Sequence, residues 1–79
     1  MSIPIDSQRV ALMTAIREIR ARQHLSQETV AARGELNRKT VGDVERGDMS
    51  PSFAVLVSIA HGLGVPLSEL VRVYEERLG

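Results

Sequence analysis

Leu25-Ser26-Gln27-Glu28 and, a turn later, Val41-Gly42-Asp43-Val44-Glu45-Arg46-Gly47 decide how this chain is read. Ser26 is a capping residue type ahead of a segment, about Gln27 to Arg33, whose inward side chains are Val30 and Ala31. Asn37 is placed to cap a second segment, about Arg38 to Arg46, with Val41 and Val44 facing inward. Gly47 supplies the left-handed residue that stops it. The pattern is a short helix, a tight turn and a second short helix. Two helices that cross steeply need a small residue at the crossing, and Ala31 is that residue.

Working outward, three more helices are predicted. Ser7 is the expected N-cap of a helix reaching about Gln23, with Leu12, Ile16 and Ile19 on one face and Arg17, Glu18 and Arg22 on others. Asp48-Met49-Ser50-Pro51 reads as a loop, because proline disfavours helix in the residue before it. Ser52 begins a fourth helix in which Phe53, Leu56, Val57, Ile59 and Ala60 are expected to be mostly buried, and Gly62-Leu63-Gly64 ends it. Val65-Pro66 leads into a fifth, about Leu67 to Arg77, with Leu67, Leu70, Val71, Tyr74 and Leu78 along one side. No strand signal, internal repeat or linker competes. The expected fold class is all-α, a single five-helix domain over residues 1–79.

The chain of 79 residues lies near the lower limit for a core that holds together alone. Having no cysteine, it has neither disulfides nor cysteine-held zinc to compensate. With one Phe, one Tyr and no Trp, the core must be aliphatic. No apolar run approaches the roughly 18 residues of a membrane span, and the start lacks the regions of a signal peptide. A reduced, cytoplasmic setting is expected.

Ten basic residues balance ten acidic ones, whereas nucleic-acid binders usually carry a basic excess. Distribution qualifies that sum. From Arg17 to Arg46, the basic Arg17, Arg20, Arg22, Arg33, Arg38, Lys39 and Arg46 outnumber the acidic Glu18, Glu28, Glu35, Asp43 and Glu45. Beyond Gly47, Asp48, Glu69, Glu75 and Glu76 outnumber Arg72 and Arg77. A basic front and an acidic tail can orient a protein on DNA without a large net charge. The second helix of the motif has an apolar inner edge and an exposed start of Asn37, Arg38, Lys39, Thr40 and Asp43. That combination suits a DNA major groove.

At this point the chain resembles the Cro and phage-repressor helix-turn-helix family, the xenobiotic-response-element type. The matching residues are Leu25-Ser26-Gln27-Glu28, Ala31, Arg38, Thr40-Val41, Val44-Glu45-Arg46-Gly47, Pro51-Ser52, Leu56, Ile59-Ala60, Leu63-Gly64-Val65 and Leu67-Ser68-Glu69-Leu70. Each fragment is weak alone; their order and spacing carry the likeness over roughly residues 10 to 71. The resemblance implies a motif at about 27–46, a recognition helix at 38–46, and a homodimer on a roughly palindromic operator. It implies base reading by Arg38, Lys39, Thr40 and Asp43. It also implies phosphate contacts by Gln27 and Asn37, helped by N–H groups at helix starts. Arg38 can donate two hydrogen bonds to guanine, and Asp43 can accept from cytosine or repel a phosphate. Gly42, read as exposed, would let the helix approach the sugar-phosphate chain. Glu45 is expected to pair with Arg20. The implied partners are double-stranded DNA and RNA polymerase, in a bacterial or phage-encoded regulator that autoregulates or represses, as controller proteins of restriction-modification systems do.

One departure stands in the turn. The family usually has Gly where this chain has Glu35, preceded by an apolar residue where it has Gly34. Either Glu35 adopts positive φ, or the turn is reshaped around Gly34, whose missing side chain thins the core. The apolar side of the fifth helix exceeds what one neighbouring helix can cover. A two-fold contact through residues 65–79 (Leu67, Leu70, Val71, Tyr74 and Leu78) would bury the surplus.

His24 and His61 lack a second ligand at metal spacing and read as surface or capping histidines. Ser7, Ser26, Ser52 and Ser68 read as helix starts, with no base or oxyanion signature beside them. Neither catalysis, a cofactor, a metal nor a small-molecule ligand is expected. The competing readings are an antitoxin that also holds a protein partner, and an interaction module that has lost DNA binding. Only Met1–Asp6 is free to serve the first as a partner-binding extension, and the intact Gln27, Asn37, Arg38 and Lys39 set speaks against the second. With no ligand domain following, control would fall to concentration, cooperative operator filling or a partner protein.

Overall fold

A computed structural model describes residues 2–79. It contains five helices and, among the described residues, no strand: α1 (Ile5–Arg22), α2 (Gln27–Arg33), α3 (Arg38–Arg46), α4 (Phe53–Leu63) and α5 (Leu67–Leu78). The all-α, five-helix expectation holds.

Local chemistry explains most helix ends. The Ser26 Oγ accepts the Thr29 N–H at 3.0 Å, and the Ser52 Oγ accepts the Val55 N–H at 3.2 Å. Each satisfies one of the donors that a helix start leaves unpaired. Gly47 closes α3 at φ 77° and Gly64 closes α4 at φ 74°. The start of α1 differs from its expectation. Pro4 holds the N-cap position with no side-chain bond, and Ser7 lies inside the first turn. Proline's fixed φ suits a helix entrance, and Asp6 faces the positive end of the helix dipole. Gln23 caps the far end of α1, and His24 follows it at φ 56°.

Packing explains the glycines that local reading did not. The turn takes the first of its two alternatives: Glu35 adopts φ 54°, while Gly34 stays at φ −85°. Gly34 is needed for space, since a Cβ there would lie 2.4 Å from the Ser58 carbonyl oxygen of α4. Backbone fills the place of the missing side chain, so the core is not thinned there. Gly62 mirrors it from the other helix, where a Cβ would lie 2.2 Å from the Val30 carbonyl oxygen. Gly62 is therefore a close-packing residue inside α4, and Gly64 alone is the stop.

The core joins Ala15, Ile16 and Ile19 of α1, Val30 and Ala31 of α2, Val41 and Val44 of α3, Ile59, Ala60 and Leu63 of α4, and Leu70 and Val73 of α5. Two expectations for α4 fail: Phe53 is 71% exposed and Val57 is also exposed, while Leu56 is half-buried. A helix apolar all round offers no contrast from which to tell its inner face. In α5, Leu70 is buried within its own chain, as is Val73, which the sequence reading missed. Leu67 and Tyr74 pack half-buried against that core. The Glu18 carboxylate accepts from Arg77 at 2.7 Å, fastening α1 to the end of α5.

Candidate nucleic-acid interface

The scaffold fixes α3 through its inner edge. Val41 and Val44 enter the core, and beside them Glu45 is only 1% exposed. A buried carboxylate is costly unless its oxygens are hydrogen-bonded. Arg20 of α1 meets both of them, Nε to Oε2 and Nη2 to Oε1, each at 2.8 Å. Its remaining nitrogen, Nη1, donates to the Leu25 carbonyl at 3.0 Å. Gln27 adds an amide donor to Glu45 at 3.3 Å. One carboxylate thereby ties together α1, the α1–α2 turn, the start of α2 and α3. The bond to Glu45 pushes the Arg20 pKa further above its already high ordinary value.

The outer edge of α3 carries the residues singled out for DNA. Arg38 and Lys39 project from its first turn with side chains 66% and 82% exposed. Asn37 occupies the N-cap position but makes no side-chain capping bond, so its amide is free for another partner. Thr40 is half-buried and Asp43 sits 18% exposed one turn along. Neither cation is isolated: Arg38 lies 3.6 Å from Glu28, and Lys39 donates to Asp43 at 2.9 Å. The Lys39 ammonium, followed by the Arg46 guanidinium, holds the Asp43 carboxyl below the usual carboxylate range. Gln27 points across α3 toward Glu45, and its role toward phosphate would require that bond to loosen.

Gly42 does not sit on the exposed side as expected; it is buried under the side chains of Arg46 and Gln27. Arg46 itself escaped the sequence reading. Its charge relation to Asp43, three residues before it, was visible, but not the way its guanidinium folds back over the helix.

This architecture has known counterparts. The helix-turn-helix family model HTH_3 matches residues 16–70, which spans the motif and most of the core. The chain belongs to the helix-turn-helix family. Among similar proteins of known structure, the restriction-modification controller protein C.AhdI from Aeromonas hydrophila is 37% identical, with a TM-score of 0.73, covering 78% of this chain and 94% of that one. The clp gene regulator ClgR from C. glutamicum is 25% identical, with a TM-score of 0.77 over 87% of this chain and 90% of that one. The immunity repressor protein of Bacillus phage phi105 is 34% identical over 56 residues. This chain spans only 39% of that repressor's length.

Proposed function

We propose that this helix-turn-helix protein is a sequence-specific, DNA-binding transcriptional regulator. It binds a roughly palindromic operator as a homodimer, inserting α3 into the major groove of each half-site. The observation that carries this reading is the two-sidedness of α3. Its inner edge is locked by Val41, Val44 and Glu45, and its outer edge presents Arg38 and Lys39 to solvent. Similarity to a controller protein and to a phage immunity repressor supports the same reading. Arg38, Lys39 and Thr40 are the base readers, and Gln27 and Asn37 hold phosphate. Regulation acts by occluding or assisting RNA polymerase in the bacterial cytoplasm.

The homodimer is supported by the surface around α5. An apolar groove of about 350 Å³ opens between the start of α1, the α3–α4 loop and α5, with Ile5, Leu12, Met49, Leu56, Leu67 and Tyr74 among its walls. Val71 lines it and is exposed, and Leu70 lines its floor while only 1% exposed. The proposed contact is therefore narrower than the sequence reading had it: Leu67, Val71, Tyr74 and Leu78. Val71→Glu is expected to shift the chain to monomer by light scattering and weaken operator binding.

Selection of bound duplexes from a random pool tests the function directly. Two half-sites about 34 Å apart, centre to centre, are expected. Arg38→Ala and Lys39→Ala should each lose discrimination of about 1–3 kcal/mol at the base pair read. Unchanged binding by both variants would return the interaction-module reading to first place.

A further inference from the structure

Resting on that DNA-binding reading, we infer that Arg46 is a phosphate contact and that Asp43 is its positioning residue, not a reader of cytosine. The carboxylate of Asp43 is already occupied on both sides. Its Oδ2 takes the Lys39 ammonium at 2.9 Å, and its Oδ1 takes Nη2 of Arg46. A cytosine amino group needs a carboxylate oxygen facing the open groove. Asp43 is only 18% exposed and each oxygen already accepts from a cation, so a base would have to share an oxygen with Lys39 or Arg46.

Arg46, by contrast, is steered by exposed partners and remains reachable. Asp43 accepts from Nη2, and Asp48 accepts from Nε at 3.1 Å. The free end, Nη1, makes no hydrogen bond among the described residues and lies over Gly42. A Cβ at position 42 would sit 3.0 Å from Nη1 and 3.6 Å from Oε1 of Gln27. The glycine thus leaves room for the guanidinium, in a helix where it costs about 1 kcal/mol relative to alanine. Its absent side chain is the bed on which the guanidinium rests. With 55% of its side chain exposed and Nη1 unpaired among the described residues, Arg46 keeps a donor available to an anion.

Phosphate is favoured over a base by position along the helix. Recognition helices read base edges with their first residues. Arg46 stands eight residues beyond Arg38, a rise of roughly 12 Å, which carries it away from the reading end. It also lies beside Gln27, on the side of α3 that faces the start of α2. The free Nη1 can donate a charge-assisted hydrogen bond to a phosphate oxygen, and exchange of the exposed Asp48 contact would free Nε for a second anion oxygen.

The test is equilibrium binding of the full chain to its selected operator and to an unrelated duplex, from about 50 to about 200 mM salt. Arg46→Gln should reduce the slope of log affinity against log salt by about 0.9 per subunit and weaken both duplexes alike. Arg46→Lys should restore the slope. Asp43→Asn should keep the base preference at every operator position. A wild-type slope in Arg46→Gln, or loss of preference for one base pair in Asp43→Asn, overturns the inference. Arg38→Ala separates the two levels. If it abolishes operator preference while Arg46→Gln keeps the wild-type slope, only the role of Arg46 falls. If the wild-type chain itself prefers no duplex, the DNA-binding reading falls with it.

Discussion

The two edges of α3 use the same chemistry to opposite ends. On the inner edge a carboxylate, Glu45, is 1% exposed and gripped by both prongs of Arg20. On the outer edge another carboxylate, Asp43, is shared between Lys39 and Arg46, whose side chains are largely in water. Ion pairs exposed to solvent contribute about 0.2–1 kcal/mol and are readily exchanged. A buried charge stripped of its partner costs several times that. Burial, more than residue type, separates a strut from a set of movable cations.

The sharpest way to break this contrast is to remove one arginine from each class. Arg20→Ala leaves Glu45 buried with only the Gln27 amide and should destabilise by about 3 kcal/mol. Arg22→Ala removes a single 3.5 Å contact to Glu18 at the surface and should cost no more than about 0.5 kcal/mol. Urea titrations of both variants decide it. Equal midpoints would mean that the inner pair is no stronger than an outer one.

A smaller effect is expected in the turn that sets the two helices against each other. Gly34→Ala drives a methyl group toward the Ser58 carbonyl oxygen and should cost about 2 kcal/mol. Glu35→Gly acts on the neighbouring residue with the opposite sign. It removes a side chain from φ 54°, where a left-handed conformation costs roughly 1 kcal/mol, and should leave stability equal or higher. If Gly34→Ala melted like the wild type, the close approach of α2 and α4 would not be a constraint on the motif's geometry.

These positions also show where sequence reading stops. Ser26, Ser52 and Gly47 were legible because a cap is decided by residues within one turn of it. Gly34 against Ser58, and Gly62 against Val30, were not, because each meeting joins residues far apart in the chain and leaves no periodic trace. Phe53, expected in the core, is 71% exposed, and Leu70, expected at an interface, is covered almost wholly by its own chain. Apolarity says that a side chain avoids water, but not whether its own subunit or another surface covers it. For the site, the exposure of Arg38 and Lys39 followed from the helix pattern. The bed at Gly42 required knowing how Arg46 folds back.

Comparable in kind but smaller still is the effect of the exposed pair joining α1 to α5. Arg77 holds the Glu18 carboxyl below its ordinary value near 4.5, chiefly by hydrogen bonding. Because the folded-state value is the lower one, the stabilisation is present above about pH 4.5 and is lost as pH falls through the folded-state value. Glu18→Gln should therefore melt slightly lower than the wild type at neutral pH and converge with it in acid. Glu69, lowered in the same way by Arg72, and Asp43, lowered chiefly by Lys39, remain titratable in both proteins. Both melting curves should thus fall with acid, and only the gap between them reports Glu18. A gap that stays constant from about pH 7 to about pH 3 would show that the Arg77 contact contributes nothing through its charge. In that case charge would play no part in holding the end of α5 to α1.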